Sequence, residues 1–157
     1  MLSATEYVIR QARWPDDEEV LREIRQRVFI DEQGVPAALE WDGMDADCIH
    51  VLAIRADQRP IGTGRLDPKG KIGRLAVLKP WRSRGIGSAL LRTLIQLGKA
   101  LDPHDLYLHA QVRALTFYQS HGFLSVGGRF VEAGIPHQKM RYVFVRDDRP
   151  PMNCPPC

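Results

Sequence analysis

The feature that most constrains this chain is an apolar stretch that continues through two arginines and two glycines into an amphipathic run. Residues 71–78 read KIGRLAVL, which has the length and composition of a strand, and residues 79–91 continue as KPWRSRGIGSALL. One face of the second run is apolar at helical spacing and contains Ile86, Leu90, Leu94 and Leu97. The sequence therefore predicts a strand that enters a helix through a loop containing Gly85 and Gly87.

The start of this helix has the composition of an anion-binding site. The first N–H groups of a helix have no partner within it, and the helix dipole favours negative charge there. Gly85 and Gly87 have no side chains that would keep an anion off the backbone, and Arg82 and Arg84 add donors suited to phosphate. The alternative is that the glycines only permit tight packing of strand and helix, with the arginines in solvent. The context favours a bound diphosphate or polyphosphate.

Two common phosphate-binding motifs do not match this loop. A P-loop needs GxxxxGK[ST], and no lysine follows Gly87 at the required place. A dinucleotide-binding loop needs a third glycine where this chain has Leu90, and it also needs a repeating parallel strand–helix–strand pattern. A predicted hairpin precedes the motif here, so both interpretations fail.

The order of elements predicts an α/β fold with a mixed sheet flanked by helices. Strands are predicted at residues 6–12, 48–56, 61–67, 71–78, 106–111, 123–131 and 139–145, and helices at residues 16–29, 86–100 and 113–121. Loops are expected at the acidic residues 31–47 and at residues 132–138. We expect a single domain over residues 1–146 and a disordered tail over residues 147–157.

Composition places the chain among ordinary globular proteins. Of its 157 residues, 44% are hydrophobic and 26% are charged, which does not fit a disordered chain. No apolar run approaches a membrane span and the N-terminus has no signal-peptide pattern, so we expect a cytoplasmic protein without a membrane partner. The formal net charge is only +3, and the aromatic residues are not interleaved with the loop cations in the way that a nucleic-acid stacking platform would require. We therefore expect no nucleic-acid partner.

The three cysteines predict neither a redox site nor a metal site. Cys48 lies in an apolar stretch and is interpreted as a buried thiol. Cys154 and Cys157 form a terminal CPPC, but two inner prolines and the lack of a following helix do not suit a reactive thiolate or a four-ligand zinc site. No metal cofactor is expected.

Two signatures in this sequence resemble a known enzyme family. The stretch RLAVLKPWRSRGIGSALL resembles motif A of the GNAT acetyltransferases, R/Q-x-x-G-x-G/A after a strand, which here runs from Arg82 to Gly87. The stretch QVRALTFYQSHGF resembles the second GNAT signature, with Gln111 where the family often has Asn. VFIDEQGVPAALEWDGMDADCIHVLA and EAGIPHQKM resemble the ElaA-like branch of small bacterial GNAT proteins. The resemblance covers residues 5–145.

The resemblance implies acetyl-CoA as co-substrate and a GNAT fold whose fourth and fifth strands are splayed apart around it. Its pyrophosphate would lie on the N–H groups at the start of the helix, and its pantetheine arm would run along the fourth strand. The implied cofactor-binding residues are Leu75, Ala76, Val77, Arg82, Ser83, Arg84, Gly85, Ile86, Gly87, Ser88, Gln111 and Tyr118.

The implied reaction is direct acetyl transfer to a primary amine in a ternary complex, without a covalent enzyme intermediate. The family's position for the oxyanion donor is the backbone N–H of Val77. Its general acid corresponds to Tyr118, for which the alternative is a core aromatic beside Phe117. An amine with a pKa near 10.4 is only about one part in 10³ neutral at pH 7, so a proton acceptor is also needed.

The proton acceptor is where the sequence leaves alternatives open. The fourth strand has no carboxylate, so candidates come from the acidic segment, of which Glu40 is carried forward. The other carboxylates of that segment are Glu32, Asp42 and Asp45. His137, near Glu132 in the predicted loop, is the second catalytic candidate, and its alternative is a loop-stabilising hydrogen bond. His50 and His109 are more typical of hydrogen-bonded strand residues. A relay of water molecules, without a single protein base, is another alternative.

The acceptor and the assembly are not defined by the sequence. The acidic segment suggests a cationic amine, either a small molecule such as a polyamine or aminoglycoside, or a lysine on a protein. Dimers are common in the family, so a homodimer is an expectation without a recognisable seam. The alternative function is a non-catalytic module that binds or senses an acyl-CoA.

Overall fold

The computed structural model describes residues 6–101 and 105–144. Seven strands form one mixed sheet in the order β1-β2-β3-β4-β5-β7-β6. The strands are β1 Tyr7–Gln11, β2 Ile49–Arg55, β3 Pro60–Leu66, β4 Lys71–Val77, β5 Tyr107–Gln111, β6 Phe123–Glu132 and β7 Ile135–Tyr142. The predicted α/β class and mixed sheet are confirmed. The proposed tail from residue 147, with Cys154 and Cys157, lies outside the described residues.

Four α-helices accompany the sheet in the described part of the chain. They are α1 Glu18–Arg25, α2 Ala37–Glu40, α3 Ile86–Ala100 and α4 Leu115–Gln119. A π-helical segment, Gln26–Glu32, continues α1 directly, so the predicted helix extends three residues beyond Phe29. None of the helices in the described ranges is long and apolar enough to span a membrane.

Helix α3 packs closely on one face of the sheet because β3 has two glycines beneath it. A Cβ on Gly62 would lie 2.9 Å from Leu90 Cδ1, and one on Gly64 would lie 2.6 Å from Leu94 Cδ1. Leu90 and Leu94 are fully buried in the larger hydrophobic core on this face. The apolar stripe predicted for this helix is therefore the surface that anchors the N-terminus of α3 beside the end of β4.

Helix α1 packs on the opposite face and forms a second, smaller core. Its apolar residues contact one side of the central strands, and the buried members of this core are Leu21, Ile24, Val28, Leu52, Ile54 and Ala76. The sheet is therefore covered on both faces near β2, β3 and β4, as the near-continuous apolar strands predict.

The last two strands form a tighter hairpin than the sequence predicts. The loop expected at residues 132–138 is reduced to a two-residue turn, Ala133 and Gly134, whose φ angles are +52° and +76°. The prediction failed because Gly134 and Pro136 resemble loop residues, yet Pro136 pairs with Val131 within the ladder. His137 consequently lies on strand β7, not in a loop.

Strands β4 and β5 separate soon after they begin. Their parallel pairing is confined to Lys71 with Tyr107 and Ile72 with Leu108. On its other side β4 remains paired with β3, but with a register shift at residue 74, whose φ is +51°. The gap between β4 and β5 confirms the splayed strands expected from the resemblance.

A buried ion-pair network ties α1 to the acidic segment. Arg25 is 1% exposed, and its Nε lies 2.7 Å from Glu40 Oε2 while its Nη1 lies 2.7 Å from Asp45 Oδ1. A third donor, Nη2, bonds to the Glu40 carbonyl oxygen at 3.0 Å. Because a buried guanidinium needs this degree of compensation, Arg25 fixes the path of residues 40–45 over the sheet.

We expect Arg25→Ala to lower the free energy of unfolding by about 3 kcal/mol, since Glu40 and Asp45 lose their shortest ion pairs and keep only Arg74 and Arg65 as cationic partners. The matched control is Arg27→Ala, which removes a solvent-exposed ion pair with Glu23 and should cost no more than about 0.5 kcal/mol. Urea unfolding followed by circular dichroism measures both. Equal, small losses in the two variants would contradict the role assigned to Arg25.

Candidate functional site

The loop between β4 and α3 presents free backbone donors. Ser83 and Gly85 have φ angles of +62° and +81°, and the first bond of the helix runs from the Ala89 N–H to the Gly85 carbonyl at 3.0 Å. The N–H groups of Ile86, Gly87 and Ser88 therefore have no acceptor within the helix. Together with the dipole of a 15-residue helix, they form a site for an anion.

The two glycines of this loop have different reasons to be glycine. Gly85 occupies the left-handed region, which an L side chain rarely adopts. A Cβ on Gly87 would meet Phe117 Cζ at 3.7 Å, an ordinary contact, so the fold tolerates a side chain there. Neither glycine is required by close packing of strand on helix, and that alternative is wrong. Gly87 keeps open the space in front of the helix.

That space is a cavity of about 440 Å³ at the end of β4. It is lined by β4, the loop, the start of α3 and one aromatic residue of α4. The lining residues are Leu75, Ala76, Val77, Trp81, Arg82, Ser83, Gly85, Ile86, Gly87, Ser88 and Phe117. Most of the residues proposed from the resemblance to hold the cofactor are thus brought together around one cavity.

The two arginines of the loop have different environments. Arg82 donates from Nε to the Val77 carbonyl at 2.9 Å and pairs with both carboxylate oxygens of Glu32, at 2.6 and 2.8 Å. Its hydrogen bonds lower the pKa of Glu32. Arg84 is exposed, lies 4.9 Å from the Trp81 ring centre and has no ion pair with the described residues. Arg82 stabilises the loop, whereas Arg84 is available for an anion.

A larger groove of about 1040 Å³ lies on the other side of the gap between β4 and β5. Its walls come from the π-helical segment, α2, β5 and the β6–β7 hairpin. Leu75, Ala76 and Val77 line both the groove and the smaller cavity, so the two spaces meet at the separated strands. The cavity and the groove are therefore continuous at this point.

Tyr118 lies on the wall of the groove, next to Phe117, which lines both spaces. It is half-buried on α4, lines the groove and packs edge-to-face on Phe117, with ring centres 5.1 Å apart. Burial raises the pKa of Tyr118 to about 12, so its hydroxyl is protonated at neutral pH. Phe117 and Tyr118 both pack against the larger core, and the Tyr118 ring also faces the groove.

Gln111 belongs to the groove, not to the smaller cavity. Its side-chain nitrogen donates to Gln33 Oε1 at 2.8 Å, and its side-chain oxygen accepts from Arg113 Nε at 2.9 Å. These bonds hold its amide in one orientation. The sequence placed Gln111 at the cofactor, and the structure places it between β5 and the π-helical segment.

Three polar residues of neighbouring strands meet on the hairpin wall of the groove. Glu132 Oε1 lies 3.2 Å from His109 Nδ1, and Glu132 Oε2 lies 3.7 Å from His137 Nε2. His137 Nδ1 lies 2.6 Å from the Ile135 carbonyl oxygen, which can only accept, so this nitrogen is the donor. The Nε2 lone pair of neutral His137 is therefore free to take a proton.

The acidic segment is neutralised by arginines from other elements. Each of its four carboxylates that the sequence singled out contacts an arginine: the pairs are Glu32–Arg82, Glu40–Arg25, Asp42–Arg65 and Asp45–Arg25. Glu40 is only 3% exposed and also lies 3.1 Å from Arg74 Nε. These four carboxylates are therefore compensated and do not offer a free negative charge to a cationic amine, whereas Asp31 and Asp47 of the same segment are exposed.

Two further residues that the sequence assigned to the core are indeed core residues. His50 Nε2 bonds to the Asp45 carbonyl at 2.8 Å and its ring stacks on Trp14, while burial lowers its pKa. Cys48 is buried and burial raises its pKa, so its thiol is protonated. The described histidines, cysteines and acidic residues form no cluster that could hold a metal ion.

The chain is similar to proteins of one acetyltransferase family. The family model for the acetyltransferase (GNAT) domain matches residues 12–144. The N-acetyltransferase YjcF of Bacillus subtilis, which is uncharacterised, is 35% identical over 121 residues, covering 74% of this chain and 86% of YjcF. ElaA of Escherichia coli is 32% identical over 126 residues, covering 74% of this chain and 81% of ElaA.

Solved structures show the same fold. The crystal structure of Escherichia coli ElaA superimposes with a TM-score of 0.78 at 26% identity, covering 88% of this chain and 100% of ElaA. An acyl-CoA N-acyltransferase from Pseudomonas aeruginosa gives 0.74 at 29% identity, covering 88% of this chain and 99% of that protein. The chain belongs to the GNAT acetyltransferase family and is an acyltransferase with the GNAT fold.

We expect Gly85→Ala to destabilise the protein by about 1–2 kcal/mol, because the alanine is forced into the left-handed region. Gly87→Ala should leave the free energy of unfolding unchanged or raise it by up to about 1 kcal/mol, since its Cβ meets only an ordinary contact within a helix. Urea unfolding measures both variants. A clear loss of stability in Gly87→Ala would show that this glycine serves packing.

Proposed function

We propose that this protein transfers an acetyl group from acetyl-CoA to a primary amine by direct attack in a ternary complex. The proposal rests on one observation: the cavity at the free N–H groups of α3 joins the larger groove through the gap between β4 and β5. A donor and an acceptor held on the two sides of the sheet would meet there. The family to which the chain belongs acetylates amines. The structurally similar protein from Pseudomonas aeruginosa is an acyl-CoA N-acyltransferase.

The cavity fits the diphosphate end of acetyl-CoA. The N–H groups of Ile86 to Ser88 supply donors and Arg84 supplies an uncompensated cation, while Gly87 leaves room for phosphate oxygens. The backbone of Leu75 to Val77 borders both spaces, so it would pair with the extended arm. The N–H of Val77 would then face the carbonyl oxygen that gains negative charge during attack.

Tyr118 and His137 would handle the two protons of the reaction. Tyr118 is protonated at neutral pH and lies beside the cavity, so it would protonate the leaving thiolate. His137 has a free Nε2 on the groove wall, supported by Glu132, and would accept the proton of the amine. Glu40 is enclosed by arginines, so its contribution as a catalytic candidate would be to hold Arg74 in place.

We expect acetyl-CoA to bind the wild type with micromolar affinity in calorimetry. Arg84→Glu should weaken binding at least tenfold because it replaces a cation at the diphosphate with an anion. Gly87→Ala should weaken it similarly while keeping its stability, because the new methyl group occupies the phosphate cradle. ATP is the control ligand and should not compete. Absence of acetyl-CoA binding would refute both the enzyme and an acyl-CoA-sensing alternative.

We expect Tyr118→Phe and His137→Asn each to lower kcat by about 10²–10⁴-fold, as removal of a general acid or base does. The affinity for acetyl-CoA should stay within about twofold, because neither side chain lies on the diphosphate loop. Steady-state release of CoA gives the rate and calorimetry gives the affinity. Tight binding of acetyl-CoA without turnover of any amine would instead indicate the non-catalytic module.

A further inference from the structure

The groove contains an arginine whose charge is only partly compensated. Three arginines share the three carboxylates of the network, Glu40, Asp42 and Asp45. Arg25 and Arg65 take the short contacts: Arg65 bonds to both oxygens of Asp42, at 3.0 and 2.8 Å, and to Asp45 at 2.9 Å. The third arginine, Arg74, is left with carboxylates that already have a partner.

The contacts of Arg74 are correspondingly poor. Its Nε is buried and makes no hydrogen bond to the described residues, although Glu40 Oε2 lies 3.1 Å away. Its Nη2 is shared among three acceptors at 3.1 to 3.3 Å, the carbonyls of Leu39 and Glu40 and Oδ2 of Asp42. No hydrogen bond from its Nη1 to the described residues is present. A guanidinium with five donors therefore keeps unused capacity.

The electrostatics of the two arginines differ in the same way. Burial acts to lower the pKa of Arg65, but its hydrogen bonds to Asp42 and Asp45 outweigh burial and raise that pKa. The pKa of Arg74 is lowered, because burial, together with the charges of Arg65 and Arg25, outweighs the opposing effect of Glu40 and Asp42. A further anion beside Arg74 would remove this imbalance.

The backbone at Arg74 is strained, and the strain orients its side chain. Arg74 has a φ of +51°, which is uncommon for a residue with a side chain. It sits at the register shift where β4 leaves β5, immediately before Leu75 to Val77, and its side chain is 23% exposed at the groove. Strained residues of this kind concentrate at ligand sites. The hairpin wall of the same groove carries the half-exposed carboxylate of Glu132.

We infer that the acceptor is an amino acid-like amine, whose carboxylate is bound by Arg74 and whose amine faces Glu132 and His137. A guanidinium matches the planar fork of a carboxylate. Arg74 directly precedes the strand segment proposed to present the thioester, and Arg74, that segment, Glu132 and His137 all line the same groove. This inference rests on the proposed function and replaces the polyamine or aminoglycoside expected from the acidic segment.

The test compares matched amines that differ only in the carboxylate: alanine with ethylamine, phenylalanine with phenethylamine, and lysine with cadaverine. CoA release measures turnover, and NMR line broadening in the presence of CoA measures binding. At least one carboxylated member should be acetylated or bound about tenfold better than its partner, as a charged hydrogen bond predicts. A panel without any such preference overturns the inference, whether or not the amines react.

The variant Arg74→Gln tests the arginine. It should reduce the preference for the carboxylated amine to within about twofold. The change should appear as a higher KM for the carboxylated amine, while KM for its decarboxylated partner stays the same. Lys71→Gln removes a positive charge from the same strand and the same groove. It should keep the preference, because Lys71 lies three residues before Arg74 on β4 and its charge is screened. Equal effects of the two variants would overturn the role of Arg74. The wild-type panel decides the inference even if Arg74→Gln is unstable.

Calorimetry with acetyl-CoA separates this inference from the proposed function. If acetyl-CoA does not bind the wild type, both fail. If acetyl-CoA binds and the decarboxylated amines are the better acceptors, only the amino acid-like acceptor is refuted and the acetyltransferase remains.

Discussion

The separation of β4 from β5 is the constraint on which the rest of the site depends. Two paired residues hold the strands together at one end, and beyond them β4 keeps only its pairing with β3. In the interior of a sheet, backbone N–H and C=O groups that lack a neighbouring strand need hydrogen-bond partners elsewhere. The gap is therefore suited to an extended ligand. The same gap joins the cavity under α3 to the groove on the α1 face. Without the separation, the free N–H groups of α3 would bind an anion that has no access to an acceptor.

The arginine–carboxylate network forms one wall of the groove. Arg25 on α1, Arg65 on β3 and Arg74 on β4 converge on a segment that has little regular structure of its own. Buried pairs of this kind contribute little net stability compared with apolar residues, but they define one arrangement of the chain. Here that arrangement encloses Glu40 and leaves Arg74 facing the groove. A network that is complete for two arginines and incomplete for the third combines a structural and a binding role.

Much of the fold and half of the site could be predicted from local patterns. The helical spacing of Ile86, Leu90 and Leu94 and the glycines before them identified the anion loop, because those features are local in sequence. Pairings across the sheet were not accessible. The sequence assigned His137 to a loop, since Gly134 and Pro136 are typical loop residues, and only strand pairing placed it on β7. It interpreted the acidic segment as a cation attractant because the arginines that pair with its carboxylates lie 15 to 50 residues away from them in sequence.

The sequence by itself determined the α/β class, the strand–loop–helix proposed to bind an anion and, through two signatures, the GNAT family. These depend on periodicity and on residues adjacent in the chain, whose physics is local. Tertiary structure alone decided which charges are compensated, that Gln111 lies in the groove, that Glu132 joins two histidines, and that Arg74 is under-coordinated. Those properties arise from distances between residues far apart in sequence and from burial, and neither is fixed until the sheet has formed.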